Sequence, residues 1–371
     1  MKILYVAARY DPHDLNAGSG SDYQFYQALL RMGAAVRIIG PFHDDPSLVE
    51  KAYRKIHSLI TTRRYAKFSN HFLHTSRQAT ELEIRNYKPD VIFSRNIAPL
   101  VLCKTSIPII YRFDTTLIGS HEQWPIFSEV EYQRMLRWEK RVLQKTSLAV
   151  THSEWSAQIL AERYHFPAQK TLVFPNPASL PEPFYPGPIQ TSQKITLPLH
   201  LLLVGKESYR KGVDIAIQVA ERLNQQGITT ELHIVGQEGK DQDPVSYRGY
   251  FDKTNAVQQE AYLDQYRWAH LLIHPARFEA AGIVPAEAAI FGVPTITTCA
   301  GGLATTVKNN VSGIVLPQNS PPDLYVYTIK ELLNNPGIYS ALCQSTRERY
   351  EKELNWAAAG KRLQQAIEKL I

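Results

Sequence analysis

Short apolar runs alternate with amphipathic helical patterns along this chain of 371 residues, and the alternation begins twice. Residues 2–8 (KILYVAA) and residues 200–205 (HLLLVG) are apolar runs of the length that buried parallel strands require. A loop and then a helical pattern follow each run, at residues 21–32 and 213–226. This order predicts an α/β protein with two facing, Rossmann-like, doubly wound domains, in which ligands bind outside the carboxyl ends of the strands.

The first predicted helix carries signals at both ends. Ser21 and Gln24 have the spacing of a capping box, and Gly33 predicts the end of the helix. Similar apolar runs predict further strands at residues 35–39, 90–94, 108–111, 147–151, 171–174 and 231–236.

A proline-rich segment separates the two halves. Residues 175–198 contain seven prolines among polar residues, which disfavours helix and strand alike and is typical of a linker. We therefore expect an N-terminal domain over residues 1–185 and a C-terminal domain over residues 195–353. The last segment, residues 354–371, has the pattern of an amphipathic helix with Trp356 near its start.

Net charge is concentrated in one segment. The 41 basic and 35 acidic residues give a formal charge of +6. Residues 51–77 hold seven of the basic residues and no acidic residue, so the rest of the chain carries a net charge of −1. Because a nucleic-acid-binding domain is basic over a whole face, no nucleic-acid partner is expected.

The three cysteines lie far apart, at Cys103, Cys299 and Cys343, without a CxxC motif or a paired histidine. This spacing matches neither a zinc site nor a disulfide framework, so we expect no bound metal and a reducing, cytoplasmic location. No apolar run reaches the roughly 18 residues of a membrane span, and the N-terminal run is too short for a signal peptide.

A glycine-containing loop follows the first predicted strand. Gly18, Ser19 and Gly20 precede the first helix, but Tyr23 stands where a dinucleotide-binding fingerprint requires glycine or alanine. An NAD site is therefore not predicted. The loop can still bring backbone amides close to a substrate such as an acceptor, and a plain flexible loop is the alternative.

A cationic loop follows the first strand of the second half. Lys206, Arg210 and Lys211 fall within six residues of one another. His200 and Glu207 replace the first glycine and the Ser or Thr of a phosphate-binding P-loop, so that motif is absent. Cations at the carboxyl end of a strand would neutralise a diphosphate, and solvated loop side chains are the simpler alternative.

The segment at residues 274–294 carries two carboxylates, Glu279 and Glu287, separated by seven residues. The proline after Ile283 and Val284 belongs in a first helical turn, so a helix should begin near Ile283. Glu279 then precedes the helix, and Glu287 lies about one turn inside it. Such carboxylates can accept hydrogen bonds from sugar hydroxyls, and two glutamates on a helix surface are the simpler alternative.

Several of these motifs occur together and in order. They are GK-x3-RKG at residues 205–212, HPA at residues 274–276, the two glutamates, FGVP at residues 291–294, and Gly301-Gly302. The combination resembles the retaining glycosyltransferases of family 4, also called group 1, which have the two-domain GT-B fold. The resemblance is densest over residues 200–317 and extends to most of the chain.

The resemblance implies a nucleoside-diphosphate sugar as the donor substrate, held mainly by the second domain. In similar enzymes, the residues that match Lys206 and Lys211 bind the diphosphate. The residue that matches Glu279 contacts hydroxyls of the donor sugar, and the residue that matches Glu287 holds the ribose.

The resemblance also implies which backbone groups complete the donor pocket. Amides of Gly282 and Ile283 would bind the donor, and the loop at residues 246–253, with Arg248 and Gly249, would flank the base. In similar enzymes a terminal helix crosses back to the first domain, as we expect for the C-terminal segment here.

The sequence also departs from the family pattern. Family members often carry a histidine in a V-H-D-like segment, and Phe113 occupies that position in YRFD, residues 111–114. Only Asp114 remains there to interact with donor or acceptor, so no histidine catalyst is expected. The family's glutamate after the double glycine is replaced by Thr305 or Thr306.

We therefore expect a retaining glycosyltransferase that moves a sugar to a hydroxyl of a glycan or of a lipid-linked acceptor. Lys206, Lys211, Glu279 and Asp114 are the expected catalytic residues, and cations stabilise the leaving diphosphate without a metal or cofactor. A nucleotide-sugar epimerase of similar fold and a non-catalytic nucleotide-sugar-binding or lipid-binding protein are the alternatives.

The basic segment at residues 51–77 belongs to the half that holds the acceptor in similar enzymes. Tyr53, Ile56 and Ile60 recur at helical spacing, which predicts a basic amphipathic helix. Such helices adsorb to anionic lipid, so we expect peripheral contact with a membrane or an acceptor lipid. An ordinary solvated helix packed on the sheet is the alternative. The cations expected to take part are Arg63, Arg64 and Lys67.

Overall fold

The computed structural model describes residues 1–7, 9–61, 63, 65, 68–180 and 194–371. Contacts divide the chain into two compact units. The first unit comprises Met1–Phe174 and Ala359–Ile371, and the second comprises Pro175–Ala358. The structure thus changes unit between Phe174 and Pro175, earlier than residue 185, which lies outside the described residues.

The first unit is built on a six-stranded parallel sheet in the order β2-β1-β3-β4-β5-β6. Its strands are β1 (Lys2–Val6), β2 (Ala35–Ile39), β3 (Val91–Ser94), β4 (Ile109–Phe113), β5 (Thr146–Thr151) and β6 (Thr171–Val173). Its helices are α1 (Ser21–Arg31), α2 (Leu48–Ile60), α3 (Asn70–Tyr87), α4 (Ala98–Val101), α5 (Leu117–Gln123), α6 (Glu129–Leu143) and α7 (Glu154–Tyr164).

The second unit is built on another six-stranded parallel sheet, in the order β12-β11-β10-β7-β8-β9. Its strands are β7 (Leu199–Val204), β8 (Thr230–Val235), β9 (Val245–Tyr247), β10 (Leu271–His274), β11 (Thr295–Thr298) and β12 (Gly313–Leu316). Its helices are α8 (Ser208–Lys211), α9 (Val213–Gln225), α10 (Ala256–Trp268), α11 (Val284–Ile290), α12 (Leu303–Thr306), α13 (Pro322–Asn334) and α14 (Pro336–Lys352). The last helix, α15 (Trp356–Glu368), begins in the second unit, and its residues from Ala359 onward belong to the first.

Central strands of both sheets are apolar because helices cover both faces. Leu201, Leu202 and Leu203 of β7 are consecutive and fully buried, so side chains on both faces of this strand lie in the core. Val91 and Ile92 of β3 show the same pattern in the first unit. No helix among the described residues is long and apolar enough to cross a bilayer.

Strand order fixes where each sheet can bind a ligand. In the first unit the order reverses between β1 and β3, and in the second it reverses between β7 and β10. Loops that leave the carboxyl ends of two such strands diverge to opposite faces and leave a crevice between them. Candidate site residues are therefore those that follow β1 and β3 or β7 and β10.

The prediction of two doubly wound α/β domains is confirmed by the two parallel sheets. The strand predictions agree to within two residues at each end, and four strands, β9 to β12, were not predicted. The first strand ends at Val6 rather than at residue 8, which lies outside the described residues.

The predicted capping box of the first helix is wrong. The residue that caps α1 is Gly20, in a left-handed conformation, and no side chain caps the helix. Ser21 already has helical torsion angles, and its hydroxyl accepts a hydrogen bond from the buried Arg112. A buried guanidinium requires hydrogen-bond acceptors, and Arg112 therefore bonds to the serine hydroxyl that the sequence pattern had assigned to the cap of the helix.

Gly212 offers a test of how closely the loop after β7 approaches the loop after β10. It has φ 71°, and a Cβ atom at this position would lie 2.1 Å from the Pro275 carbonyl oxygen. Gly227 also has a positive φ, 80°, but a Cβ there would meet nothing within 4 Å. Gly227→Ala is the control, because it isolates the backbone cost of about 1–2 kcal/mol. We expect Gly212→Ala to lower the free energy of unfolding in urea by about 3 kcal/mol or more. Equal losses in the two variants would contradict the close approach.

Candidate functional site

The loops after β7 and β10 meet around the carboxylate of Glu279. These strands are paired neighbours at the reversal of strand order. Lys211 Nζ forms an ion pair with Glu279 Oε2, and Arg210 Nη1 lies 3.1 Å from the same oxygen. Arg210 also donates to the Phe278 carbonyl at 3.1 Å and to Glu207 at 3.0 Å. The single helical turn of α8 brings both cations to one carboxylate.

Electrostatics keep this glutamate ionised. Burial alone would raise the pKa of Glu279, but Lys211 and Arg210 lower it well below its usual range. His274 is fully buried at the end of β10, with Nε2 3.8 Å from Glu279 Oε2. Burial and the adjacent Lys211 ammonium lower the pKa of His274 to about 4, so the imidazole is neutral at pH 7. The cluster therefore carries two cations and two carboxylates, of which Glu279 contacts both cations and the exposed Glu207 contacts Arg210 alone.

The backbone of Glu279 is held by the glycine pair that follows β11. Gly302 N donates to the Glu279 carbonyl at 2.9 Å. Gly301 has φ 56°, and a Cβ there would lie 2.3 Å from that carbonyl oxygen. Thr306, which follows the pair, donates to the Ala281 carbonyl at 2.5 Å. Thr306 thus stabilises the loop that carries Glu279 through a hydrogen bond to the loop backbone.

Lys206 lies apart from this ion cluster. Its Nζ is 4.2 Å from the centre of the Tyr250 ring, a cation–π contact. The structure therefore brings Lys211 to Glu279 and places Lys206 against the loop after β9. The two lysines predicted as an equivalent pair have different surroundings.

Glu287 lies in α11, one turn after its start, and is only 1% exposed. Its Oε2 accepts hydrogen bonds from the Tyr262 and Tyr266 hydroxyls at 2.6 Å and 2.8 Å. Its Oε1 accepts from Lys253 Nζ at 2.7 Å. Because each carboxylate oxygen has two lone pairs, Oε1 retains one acceptor position beside the lysine.

The other residues predicted to bind the donor have separate positions. The guanidinium of Arg248 is bonded to His233 Nε2, and Gly249 accepts from Gly236 N at 2.7 Å. Gly282 has φ 78°, which favours glycine, and Ile283 is the capping residue of α11. Gly282 and Ile283 thus lie close to Glu279 along the chain. The Arg248 side chain, in contrast, forms its hydrogen bond with a histidine of the same unit.

Asp114 follows β4 in the first unit and lies between two guanidinium groups. Arg95 Nη2 is 2.7 Å from Asp114 Oδ2, and Arg112 Nη2 is 3.1 Å from Oδ1. Arg95 also pairs with Asp22 of α1 at 2.6 Å. Although burial raises the pKa of Asp114, Arg95 and Arg112 lower it below its usual range, so the carboxylate is ionised.

Arg112 is fully buried and links three elements of this unit. Its Nη2 donates to Ser21 of α1 as well as to Asp114, and its Nε donates to His152 Nε2 at 3.0 Å. Since a guanidinium only donates, His152 carries its proton on Nδ1, which donates to the Phe174 carbonyl at 3.1 Å. Burial and Arg112 lower the pKa of His152 to about 3, in keeping with a neutral ring.

The loop of Gly18, Ser19 and Gly20 adjoins this network. All three residues have left-handed torsions, with φ 57°, 61° and 75°. A Cβ at Gly18 would lie 2.9 Å from Arg95 Nη1, so the glycine permits close packing on the guanidinium. Arg95 therefore contacts both this loop and the carboxylate of Asp114.

The cations predicted to contact a membrane are described only in part. Arg63 is exposed, and Arg64 and Lys67 lie outside the described residues. The described residues contain no group of three or more His, Cys, Asp or Glu side chains arranged to hold a metal ion.

Sequence reasoning missed several residues that the structure places at these clusters. Arg210 was counted among the loop cations but was not assigned to a site. Arg95 and Tyr262 gave no motif signal at all. Lys253 stood at the end of the loop expected to flank the base, and its spacing gave no indication that it pairs with Glu287. The sequence does not show which residues of different strands and loops lie close together, and these contacts define the clusters.

Two family models match the chain. The model described as Glycosyltransferase Family 4 matches residues 23–180. The model described as Glycosyl transferases group 1 matches residues 190–353. Together the matches include residues of both units.

Curated relatives match over part of their length. A D-inositol 3-phosphate glycosyltransferase of Thermobispora bispora is 27% identical over 244 residues, which are 61% of this chain and 56% of that protein. A glycogen synthase of Mycobacterium tuberculosis is 24% identical over 284 residues, which are 73% of this chain and 67% of that protein. The chain thus spans between 56% and 67% of the length of these two relatives.

Solved structures match over the whole chain. A sucrose-phosphate synthase from Thermosynechococcus elongatus has a TM-score of 0.70 at 17% identity, over 100% of this chain and 98% of its own. HepE of Anabaena, solved in complex with UDP-glucose, has a TM-score of 0.60 at 15% identity, over 100% of this chain and 99% of its own. These likenesses show the fold, which is the two-domain α/β fold of GT-B proteins.

The neutral state of His274 predicts how stability depends on pH. Its pKa is lowered from the usual 6.5 to about 4, so near pH 5 the unfolded chain binds a proton here and the folded protein does not. Stability must therefore fall as pH decreases from 6.5 towards 4. We expect His274→Leu to reduce the slope of unfolding free energy against pH in this window. His74→Gln, which removes a histidine from an exposed position, is the matched control. An unaltered slope in the His274 variant, measured by urea unfolding, would refute the assignment.

Proposed function

Because the chain belongs to the group 1, family 4 glycosyltransferases, we propose that it transfers a sugar from a nucleoside-diphosphate sugar to an acceptor hydroxyl. The proposed acceptor is a glycan or a lipid-linked acceptor, and the proposal includes retention of the anomeric configuration. The observation that carries the proposal is the cluster of Lys211 and Arg210 around Glu279 at the strand-order reversal of the second unit.

Lys211 and Arg210 supply positive charge that can stabilise a diphosphate leaving group. Negative charge develops on the diphosphate as its bond to the anomeric carbon breaks, and fixed cations stabilise that charge. Lys211 and Arg210 are held by the partly buried carboxylate of Glu279, so they need little reorganisation when the reaction occurs. The remaining bonding capacity of Glu279 is proposed to orient hydroxyls of the donor sugar. Lys206 approaches the same diphosphate from the Tyr250 side.

Glu287 is proposed to hold the ribose. The free acceptor position on Oε1 can receive one ribose hydroxyl next to Lys253, while the two tyrosines keep Oε2 in place. HepE, which shares the fold, was solved with UDP-glucose, and this supports a nucleotide sugar as the donor. Gly282, Ile283 and the Arg248–Gly249 loop are proposed to complete the pocket through backbone groups.

The reaction proceeds without a metal or a cofactor in this proposal. The acceptor oxygen forms a bond to the anomeric carbon on the face from which the diphosphate departs, and the acceptor proton passes to the diphosphate. Asp114, kept ionised by Arg95 and Arg112, is proposed to accept a hydrogen bond from a substrate hydroxyl. The Gly18–Gly20 loop is proposed to contact the acceptor.

The proposed location is the cytoplasm, at its membrane surface. Three free cysteines, of which Cys299 is exposed, are compatible with a reducing compartment. Peripheral attachment to an anionic membrane is the further part of this proposal, and helix α2 is its structural basis.

Acceptor-dependent release of a nucleoside diphosphate tests the proposed function. A thermal-shift screen with UDP, GDP, ADP and their sugars identifies the donor, since a bound ligand raises the unfolding temperature. With that donor, we expect release only when a glycan or lipid-linked acceptor is added, unchanged by EDTA, and an α-linked product from an α-linked donor by NMR. Conversion of the donor without an acceptor would favour an epimerase. Binding without turnover on any acceptor would favour a non-catalytic protein.

Variants at the two clusters separate binding from turnover. We expect Lys211→Met to lower kcat about 100-fold or more, because a cation that stabilises the leaving group is lost. We expect Glu287→Gln to weaken binding of the nucleoside diphosphate by about 1–3 kcal/mol in calorimetry, because the ribose loses a charged acceptor. Lys240→Met and Glu231→Gln, at exposed positions of the same unit, are the matched controls. Wild-type kinetics and affinity in both cluster variants would remove the site assignment.

A further inference from the structure

Helix α2 has its polar side against the protein. Every residue of this helix is exposed except Glu50, Arg54 and His57, which are partly exposed. These three follow the i, i+4, i+7 spacing of a single helix face. The face that packs on the first unit is therefore the charged and polar one, which reverses the usual orientation of a surface helix.

Specific polar contacts fix this orientation. Arg54 pairs with Asp44 at 2.7 Å, and His57 Nε2 lies 3.0 Å from the Ser128 hydroxyl. Glu50 accepts from the backbone N–H of Asn70 at 2.9 Å. Three different segments of the unit thus hold the polar side of the helix.

The apolar side of α2 consequently lies in solvent. Leu48, Val49, Leu59 and Ile60 are between 78% and 84% exposed, and Ile56 is 54% exposed. At about 100° per residue, these side chains and Ala52 occupy an arc of about 120°, centred well away from the face that contacts the protein. A continuous apolar arc of this kind on one helix marks a binding surface rather than scattered exposure. We call this set of six residues the apolar face of α2.

Charge around the apolar face identifies what covers it. Lys51 and Lys55 lie along one edge of the face, and both are exposed. The nearby carboxylates are bonded within the unit, Asp44 to Arg54 and Asp45 to Lys51. Within the described part of the chain, Lys55 has no carboxylate partner, so Lys51, Lys55 and Asp45 together give this edge a net charge of +1. A cationic edge beside an apolar face complements the negative surface of an anionic bilayer.

We propose that the apolar face of α2 inserts into the interfacial region of an anionic lipid bilayer, with Lys51 and Lys55 at the level of the phosphate groups. Helices with an apolar face and basic edges bind membranes in this orientation, and lysine stems extend along the apolar region while their ammonium groups reach the headgroups. The polar contacts to Asp44, Ser128 and Asn70 hold the helix on the protein while its other face enters the lipid. This inference rests on the membrane attachment included in the proposed function and assigns it to one helix face, but it is independent of the transfer reaction, because membrane binding needs no substrate.

Vesicle co-sedimentation of the full chain tests the proposal. We expect binding to vesicles of phosphatidylcholine with about one third phosphatidylglycerol, and at least about tenfold weaker binding to phosphatidylcholine alone. Leu59→Gln with Ile60→Gln should reduce the partition coefficient for anionic vesicles about tenfold or more. Lys51→Gln with Lys55→Gln should reduce it about fivefold for each cation.

A matched control uses exposed apolar residues on other helices. Val130 in α6 and Val257 in α10 are 68% and 79% exposed, and Val130→Gln with Val257→Gln should leave vesicle binding unchanged. Thermal unfolding of all variants verifies that the fold is retained. We expect it to be retained, because the substituted side chains are exposed.

Three results would overturn the proposal. They are an absence of wild-type binding to anionic vesicles, equal binding by the Leu59 and Ile60 variant, and a concentration-dependent dimer in sedimentation equilibrium that this variant abolishes. The last result would show that a second copy covers the face. Nucleoside-diphosphate binding, followed in parallel by thermal shift, separates this outcome from failure of the proposed function.

Discussion

The ion cluster at Glu279 is the interaction on which the candidate site of the second unit depends. The side chain of Glu279 is only 15% exposed, and a carboxylate so far removed from water is destabilising unless cations pair with it. Lys211 and Arg210 do so from the loop after the neighbouring strand, and the cluster therefore joins two loops that the chain separates by more than 60 residues. Any anion bound there meets cations whose positions the protein has already fixed, which is the condition for electrostatic stabilisation of a leaving group.

The first unit follows the same principle with different residues. Its central strands β3 and β4 are buried on both faces, so polar side chains collect where these strands end. Arg112 is buried at the end of β4 and needs several acceptors, which Ser21, His152 and Asp114 provide. The guanidinium thereby sets the start of α1, the tautomer of His152 and the ionisation of Asp114 together. Phe113 stands at the position where the resemblance leads one to expect a histidine, and two arginines hold the carboxylate of the next residue, Asp114, in place.

The sequence was sufficient to predict the two parallel-sheet domains, because short apolar runs and helical periods are local signals. It also indicated Glu279 and Glu287 through the spacing of a loop and a helix start. It did not separate Lys206 from Lys211, since their surroundings depend on Tyr250 and Glu279, which are distant in sequence. The capping box at Ser21 failed for the same reason, because a buried arginine from β4 competes for the hydroxyl. Residues that act across strands, such as Lys253 on Glu287, carry no local signal.

Helix α2 shows most clearly what periodicity leaves open. An amphipathic pattern specifies two faces but does not specify which one meets the protein, and burial of the apolar face is only the usual outcome. Here Asp44, Ser128 and the Asn70 amide offer polar partners to Arg54, His57 and Glu50, so the polar face packs inward. Exposure of the apolar face to water forgoes the free energy that burial of these side chains would contribute. Insertion of the apolar face of α2 into a bilayer, as proposed, would remove these side chains from water. It would stabilise the helix without changing the orientation that its polar contacts fix.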